Sequence, residues 1–212
     1  MSYFNIANAV PSPTHVKIQS DCPNCSKASS FDPVGINDIV TATHNFGIRR
    51  CPNPNCKAAV FFINGKTTGN FNFLLLYPST KIAFSKEGIP ESVLKSFEEA
   101  IVCHSVQCYM ASAIMLRKTL EEICHDQNAT GSNLFKRLEN LSSIIVVPKE
   151  LIEATHELRL LGNDAAHLDN QTYAEIGQEE IEISIEFTKE ILKAVYQYQD
   201  LLGRLRAMKK TD

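Results

Sequence analysis

The sequence has no apolar run near the roughly 20 residues that a membrane-spanning helix requires. Its N-terminal stretch, MSYFNIANAVPSP, has neither the basic start nor the apolar core of a secretory signal peptide. We therefore expect a cytoplasmic protein without membrane contact. Of the 212 residues 44% are hydrophobic, so extensive disorder is not expected either. This length suits one ordinary globular domain with a small additional module.

A disulfide framework is not expected, because the seven cysteines would lie in a reducing compartment. Four of them form two close pairs, CPNC at 22–25 and CPNPNC at 51–56. A CxxC pair followed about 25 residues later by a second pair is close to the spacing of a zinc ribbon, in which two turns present four thiolates to one Zn²⁺. The second pair is longer than the commonest turn of this kind.

We predict one structural zinc ion per chain, bound by Cys22, Cys25, Cys51 and Cys56. Four thiolates complete a tetrahedral site and leave no position for water, so the metal is expected to be structural rather than catalytic. Two alternatives stay open, namely four free thiols without metal and His44 as a substitute ligand.

The first half of the chain is rich in β-branched and aromatic residues separated by Gly, Pro, Asn and Ser. This composition predicts strands over 14–20, 38–50, 58–65 and 71–77. Together with the cysteine pairs, it indicates a small β-rich, zinc-ribbon-like module over residues 1–86.

From Pro90 the apolar residues recur at helical spacing, which predicts helices over 90–103, 105–127, 132–142, 148–167 and 174–208. The fold class is therefore α+β, with an all-α bundle over residues 87–212. One stripe of the last helix faces the core or a partner: Ile181, Ile185, Thr188, Leu192, Val195 and Leu202. Because this helix is longer than a small bundle needs, we expect a homodimer.

The charge is divided between the two halves. Residues 1–86 hold 8 Lys and Arg against 3 Asp and Glu, a net +5, whereas residues 87–212 hold 13 against 21, a net −8. The first half would therefore approach a phosphate backbone more easily than the second. Ordinary variation between two modules is the alternative explanation.

The other cysteines fall in predicted helices. Cys103 and Cys108 are about 140° apart around a helix and cannot chelate together, so they and Cys124 are expected to be buried core thiols. We expect His104 and His125 to be polar residues at the edge of the core rather than ligands.

The fourth predicted helix carries two adjoining stripes. The core-facing one contains Leu151, Thr155, Leu158, Gly162 and Ala165. Glycine at this position lowers helix stability by about 1 kcal/mol relative to alanine. A close approach of the small residues Ala111 to Ala113 of the second helix would offset this loss. The second, named here the polar stripe, lies between core and solvent and contains His156, Arg159, Asn163 and His167.

Several sequence elements together resemble a known family. They are the two cysteine turns, YPS at 77–79, EEA at 98–100, LRKTLEE at 116–122 and ELRLLGNDAAH at 157–167. They resemble the domain-of-unknown-function family 4145, which is often attached to Type I restriction subunits and other bacterial defence proteins. That family is similar to the HEPN superfamily of helical bundles, many of which are metal-independent ribonucleases that act as dimers.

The HEPN resemblance implies a site. Its signature is Arg, a polar residue that is often Asn, three further residues and His, so Asn163 and His167 match while Gly162 takes the arginine position. Arg159 lies one turn upstream on the face of Asn163. In active members His and Arg assist attack of a ribose 2′-hydroxyl on the adjacent phosphate, so the candidate catalytic residues are His167, Arg159 and Asn163. The departure at Gly162 leaves enzymatic activity open.

A structural role explains the same residues. Arg117 and Glu121 are spaced to form a partly buried ion pair, which the polar stripe would extend as a network between helices. Three functions follow: a defence-associated binding module with a zinc ribbon and a dimerising bundle that binds RNA or nucleotide, a ribonuclease, and a toxin-antitoxin type module that neutralises a protein partner. We favour the first.

Overall fold

The computed structural model of the protein describes residues 8–67, 70–145, 148–167, 172–173 and 175–208. Residue 174, the expected start of the last helix, and the first seven residues lie outside the described residues. The fold is α+β, as predicted, and divides into two compact units, Met1–Ala83 and Phe84–Asp212. The predicted boundary followed residue 86. Phe84 belongs to the second unit because its ring packs against Phe97, with centroids 4.7 Å apart.

The first unit contains an antiparallel sheet and a separate hairpin. The sheet has the order β1-β5-β6-β7-β8, with β4 paired to β6, while β2 pairs with β3. The strands are β1 (Val10–Ser12), β2 (Gln19–Asp21), β3 (Ala28–Ser30), β4 (Asp32–Pro33), β5 (Asp38–Val40), β6 (His44–Arg50), β7 (Ala59–Thr67) and β8 (Asn70–Tyr77).

Two of the predicted strands are confirmed, as β7 and β8, one is wrong for most of its length, and one is divided into two strands. The strand expected over 14–20 is absent for most of its length, because the backbone groups of Val16 bond to side chains instead of a neighbouring strand. Its N–H donates to Asp38 at 2.9 Å, and its carbonyl accepts from Arg49 at 2.8 Å. The strand expected over 38–50 is a hairpin, in which the Thr41 N–H donates to the His44 carbonyl at 2.8 Å.

A buried ion pair lies on the inner face of this sheet. The guanidinium of Arg49 donates to both carboxylate oxygens of Asp38, at 2.6 and 2.8 Å, and both side chains are 1% exposed. The guanidinium carbon also lies 4.4 Å from the ring centre of Phe62. Gly47 is required beside the pair, because a Cβ there would lie 2.6 Å from both Asp38 and Phe62.

The second unit is a helical bundle built around its second helix. This helix contacts the first, third, fourth and fifth helices, and its buried residues recur at helical spacing. The helices are α1 (Glu91–Ser105), α2 (Tyr109–Asp126), α3 (Leu134–Ile144), α4 (Lys149–Ala166), α5 (Gln178–Leu192) and α6 (Tyr198–Ala207). None of the helices in the described part of the chain is long and apolar enough to cross a bilayer.

The turn between α1 and α2 changes one expectation about the cysteines. Gln107 has a φ of 63°, so the chain leaves the helical conformation after α1 and restarts at Tyr109. Cys108 precedes α2 at this turn and is exposed, so the prediction that it is buried is wrong. Cys124 is fully buried as predicted, and Cys103 is partly buried.

The predicted close approach of α2 and α4 is confirmed at Gly162. A Cβ on this glycine would lie 2.5 Å from Cβ of Arg117 and 3.1 Å from the carbonyl oxygen of Ala113. Glycine at this position therefore allows the two helices to pack closer than any larger residue would permit.

The single long helix predicted over 174–208 is interrupted. A π-helical segment, Lys193–Gln197, separates α5 from α6. Of the stripe expected to face the core or a partner, Ile181, Ile185, Thr188 and Leu192 are buried, Val195 is half-buried and Leu202 is exposed. A π turn inserts one extra residue and rotates everything after it, which the 3.6-residue spacing in the sequence did not predict.

Candidate functional site

The two cysteine pairs lie on two turns with the same closure. Cys22 N–H donates to the Lys27 carbonyl at 3.0 Å, and Cys51 N–H donates to the Ala58 carbonyl at 2.9 Å. In each turn the residue after the second cysteine is left-handed, with φ of 53° at Ser26 and 50° at Lys57. This conformation bends the backbone back so that both cysteines of a pair point to the same side.

The four sulfurs have the spacing that a tetrahedral metal requires. Cys22 and Cys56 Sγ atoms are 3.7 Å apart, and those of Cys25 and Cys51 are 3.9 Å apart. All four lie within 4.8 Å of one another. Thiolates at about 2.3 Å from a tetrahedral Zn²⁺ would be separated by about 3.8 Å. The four cysteines can therefore hold one metal ion, and the predicted ligand set is brought together.

Two asparagines contact the sulfurs across the site. The side-chain amide of Asn24, from the first turn, donates to Sγ of Cys56 at 3.3 Å. Asn53, from the second turn, donates to Sγ of Cys25 at 3.6 Å. The sequence had indicated only the cysteines of these turns as functional residues. The place of the asparagines between the cysteines of each pair is the signal that would have identified them.

The surroundings also set the proton affinity of the thiols. The hydrogen bond from Asn24 lowers the pKa of Cys56 to about 6, whereas burial raises the pKa of Cys22 to about 11. Thiolates are soft ligands, and binding of a metal would release the protons of all four cysteines. The donor set therefore fits a soft divalent metal such as Zn²⁺.

The cysteine cluster forms part of the hydrophobic core of the first unit. Cys22 and Cys51 are buried together with Ile18, Phe31, Val60 and Phe62. A metal bound here would join the turn after β2 to the turn after β6 and would stabilise the module. Because four sulfurs fill the site, it has no open position for a substrate.

In the helical unit, Arg117 is the centre of the polar contacts. Its guanidinium donates to the side-chain oxygen of Asn163 and lies 3.4 Å from a carboxylate oxygen of Glu121. The same side chain packs against Gly162 through its aliphatic part. Asn163 is thus engaged across the α2–α4 contact.

Arg159 has different neighbours. Its guanidinium carbon lies 5.5 Å from the ring centre of Phe135, and the His156 ring lies 4.6 Å from the same ring. Burial and the charge of Arg159 lower the pKa of His156. Arg159 Nε is buried and has no hydrogen-bond partner among the described residues.

His167 lies apart from Arg159. It is exposed at the C-terminal end of α4, where its backbone N–H donates to the Asn163 carbonyl at 2.9 Å. Two helical turns, about 12 Å along the axis, separate it from Arg159. In one chain, the described contacts therefore do not bring the side chains of His167, Arg159 and Asn163 together.

Sequence analysis missed Asp164, which lies within the same motif. Its carboxylate accepts the backbone N–H groups of Thr172 at 2.5 Å and Tyr173 at 2.8 Å. It therefore fixes the chain that follows α4, and its role is structural. An aspartate in the last turn of a helix, where the helix dipole disfavours it, was the available signal.

An exposed apolar surface on the sheet was also missed. Ile48, Phe61 and Tyr77 are direct cross-strand neighbours on β6, β7 and β8, and all three are exposed. They share the face that points away from the Arg49–Asp38 pair. We call this surface the outer sheet face: Ile39, Ile48, Arg50, Phe61, Leu75 and Tyr77.

Comparison with known proteins gives one match. Residues 98–210 match a family described as Domain of unknown function (DUF4145). No curated protein and no solved structure matches the chain. The matched residues lie in the helical unit and include the polar stripe, whereas the cysteine turns lie outside them. Because the match covers more than half of the 212 residues, the chain belongs to the DUF4145 family.

Proposed function

We propose that the protein is a defence-associated module that binds single-stranded RNA through the outer sheet face of its first unit. The observation that carries this proposal is the exposed row of Ile48, Phe61 and Tyr77 on three adjacent strands. The defence context rests on the family resemblance alone.

The chemistry of the face fits unpaired bases. An aromatic side chain on an open sheet offers a flat surface on which any base can stack, at about 1–3 kcal/mol per base. Phe61 and Tyr77 are paired across β7 and β8, and Tyr77 is 76% exposed. Two neighbouring rings of this kind suit successive bases of one strand.

Basic residues supply contacts to phosphates. Arg50 lies on the same face, two positions after Ile48, and its side chain is 56% exposed. Lys27 and Lys57 are exposed beside the two cysteine turns. The excess of basic over acidic residues in the first half of the chain supports the same function.

The metal would act on this function indirectly. Cys51 directly follows Arg50, and the Cys51 N–H bonds to Ala58, next to the start of β7. Zinc bound by the four cysteines would therefore hold the ends of β6 and β7 in register. It would preserve the outer sheet face without contacting RNA.

Hydrolysis by the polar stripe has less support. Asn163 is engaged by Arg117, and His167 is two turns from Arg159, so one chain lacks the convergence of groups that phosphate chemistry needs. We therefore propose binding without cleavage.

Fluorescence anisotropy with a labelled 15-nucleotide oligouridine tests this proposal. Phe61→Ala and Tyr77→Ala should each weaken binding about tenfold, the equivalent of one lost stacking contact. Ile36→Ala is the matched control, because Ile36 is an exposed apolar residue on the loop between β4 and β5. Lys57→Glu should weaken binding and flatten its salt dependence, while Lys149→Glu on α4 should not.

Equal binding by wild type and the two aromatic variants would refute the proposal. The same RNA incubated in EDTA tests the alternative. Metal-independent cleavage that disappears in His167→Ala would assign the function to the helical unit as a ribonuclease.

A further inference from the structure

The last helix of the bundle presents an apolar side to solvent. Among the described elements α6 packs only against the π segment, and its described side chains are exposed throughout. Tyr198, Leu202 and Leu205 recur at spacings of four and three and so share one face. Leu205 alone is 65% exposed. An isolated helix of this length gains little stability from its own backbone hydrogen bonds. It is therefore expected to be stabilised by packing of its apolar face against another surface.

This helix is also basic. Arg204 and Arg206 lie in its last turns, and Lys209 and Lys210 follow in the sequence. Arg204 lies 3.8 Å from Asp200 of the same helix and 3.5 Å from Glu87, which precedes α1, so Arg206 and the two lysines carry most of the unbalanced positive charge. A partner surface should therefore combine an apolar floor with acidic edges.

The same unit contains such a surface between α4 and α5. A groove of about 460 Å³ lies there. Its floor is apolar and consists of Ala154, Leu158, Leu161, Ile183 and Phe187. Ile183 and Phe187 remain 51% and 40% exposed, which shows that the chain's own helices leave the groove partly open.

Acidic residues line the groove. They are Glu150, Glu153, Glu157 and Glu180. Three of them are spaced three or four apart on α4, so their carboxylates follow one edge of the groove. Tyr173 reinforces this edge, because its hydroxyl donates to Glu157 at 2.8 Å.

We propose that the groove between α4 and α5 binds α6 of a second copy of this chain, and that the exchange is reciprocal. The basic, leucine-bearing helix and the acidic, apolar groove are complementary in both charge and polarity. Because each copy has both surfaces, one two-fold axis satisfies both contacts in a closed dimer.

The positions of the two surfaces along the chain agree with this symmetry. The α5 side of the groove runs from Glu180 to Phe187, and α6 runs from Tyr198 to Ala207. Counted along the chain, the first segment lies about as far before the end of α5, between Leu192 and Lys193, as the second lies after it. An antiparallel pairing about that junction therefore places α6 of each copy beside the groove of the other.

Sedimentation velocity of the full chain tests the exchange through charge reversal. One variant, Glu153→Lys with Glu157→Lys, makes the groove basic, and another, Arg204→Glu with Arg206→Glu, makes α6 acidic. Each alone should raise the dimer dissociation constant about tenfold or more, because like charges then face each other. Mixed in equal amounts, the two variants should restore a dimer of wild-type affinity, since both contacts become complementary again.

Other outcomes are equally decisive. Leu205→Asp should give monomers, whereas Val106→Asp, at an exposed residue between α1 and α2, should leave the dimer intact. A wild-type chain that remains monomeric at about 100 micromolar, a concentration at which even a weak, transient dimer should form, overturns the proposal. So do variants that dimerise alone as well as wild type, or a mixture that fails to form the heterodimer while both chains keep wild-type circular dichroism.

Discussion

The side-chain amide of Asn24 donates to Sγ of Cys56, a cysteine of the opposite turn, at 3.3 Å. Asn53 makes the reverse contact to Cys25 at 3.6 Å. Each turn thus supplies two sulfurs and also a donor for a sulfur of the other turn. With a metal bound, such hydrogen bonds would spread the negative charge of the four thiolates and orient them toward the ion.

Asn24→Ala should therefore weaken zinc binding about tenfold, within the range of about 10–100-fold for groups that support metal ligands. Competition with a chromophoric chelator at fixed pH measures this. Asn55→Ala is the matched control, because Asn55 lies in the second turn but contacts Asn53 only through its backbone N–H. Equal affinities of the two variants would show that the contact to Cys56 has no effect.

The purified protein should carry one zinc per chain, and Cys25→Ser should lose it. Cys22 and Cys51 belong to the hydrophobic core of the first unit, so loss of the metal should unfold mainly that unit. Hydrogen exchange should show lost protection in β6 and β7 and unchanged protection in α2 and α4. Cys108→Ser, at an exposed thiol outside the cluster, should retain the full metal content. Metal analysis of the wild type well below one equivalent would contradict the prediction.

The cysteine cluster that can hold a metal ion was predictable because two short spacings in the sequence determine it. The contact of α2 with α4 was predictable for a similar reason, since Gly162 lies at the centre of an apolar stripe and only a close neighbour explains it. Both are local patterns whose meaning does not depend on distant residues. The DUF4145 match confirms the family that the motifs of the helical unit indicated.

The wrong predictions depend on long-range contacts. The segment before β2 is not a strand because Asp38 and Arg49, far along the chain, take the backbone groups of Val16. The π segment after α5 rotates α6 by inserting one residue, which periodicity cannot reveal. The outer sheet face was missed although β7 and β8 were predicted, because the alternation of side chains along a strand does not show which of its two faces the rest of the chain covers.

The buried Asp38–Arg49 pair predicts a specific pH dependence. Burial alone raises the pKa of Asp38, but hydrogen bonds from Arg49 and from the Val16 N–H outweigh it and lower the pKa below its ordinary value. A lowered folded-state pKa contributes stability that is complete above the ordinary value of about 4 and is lost as the pH falls through the folded-state value.

Arg49→Met should cost about 3–5 kcal/mol at neutral pH, because it leaves a buried carboxylate without its partner. In this variant burial raises the pKa of Asp38, so the stability difference from wild type should narrow as the pH falls. Urea denaturation at several pH values, with zinc content checked at each, measures the difference. A difference in unfolding free energy that widens toward low pH would contradict the assignment of the lowered pKa to the ion pair. The double variant Arg49→Met with Asp38→Leu should recover part of the stability lost in Arg49→Met.

Gly162→Ala should destabilise the helical unit although alanine is the better helix former. The new Cβ would lie 2.5 Å from Cβ of Arg117, and such overpacking costs about 1–3 kcal/mol against a gain of about 1 kcal/mol in propensity. Gly203→Ala in α6 is the control, because a Cβ there meets nothing within 4 Å. Thermal denaturation should show a lower Tm for the first variant and an unchanged or higher Tm for the second.

The last prediction concerns Arg117 of α2, which contacts Asn163 of the polar stripe. The sequence predicted a network in which the polar stripe extends the Arg117–Glu121 pair, and Arg117 is the residue that contacts both Asn163 and Glu121. Arg117→Met keeps the aliphatic packing against Gly162 and removes both polar contacts. This substitution should lower the free energy of unfolding by about 1–2 kcal/mol, a modest value because Asn163 and Glu121 retain some contact with water.

Two other variants give the comparison. Arg159→Ala should lower the free energy of unfolding by about 1 kcal/mol through the lost contact with Phe135, and His167→Ala, at an exposed residue, by no more than about 0.5 kcal/mol. Urea denaturation of the three variants gives this order directly. If His167→Ala proves as destabilising as Arg117→Met, the side chain of His167 has a partner that its position at the end of α4 does not explain.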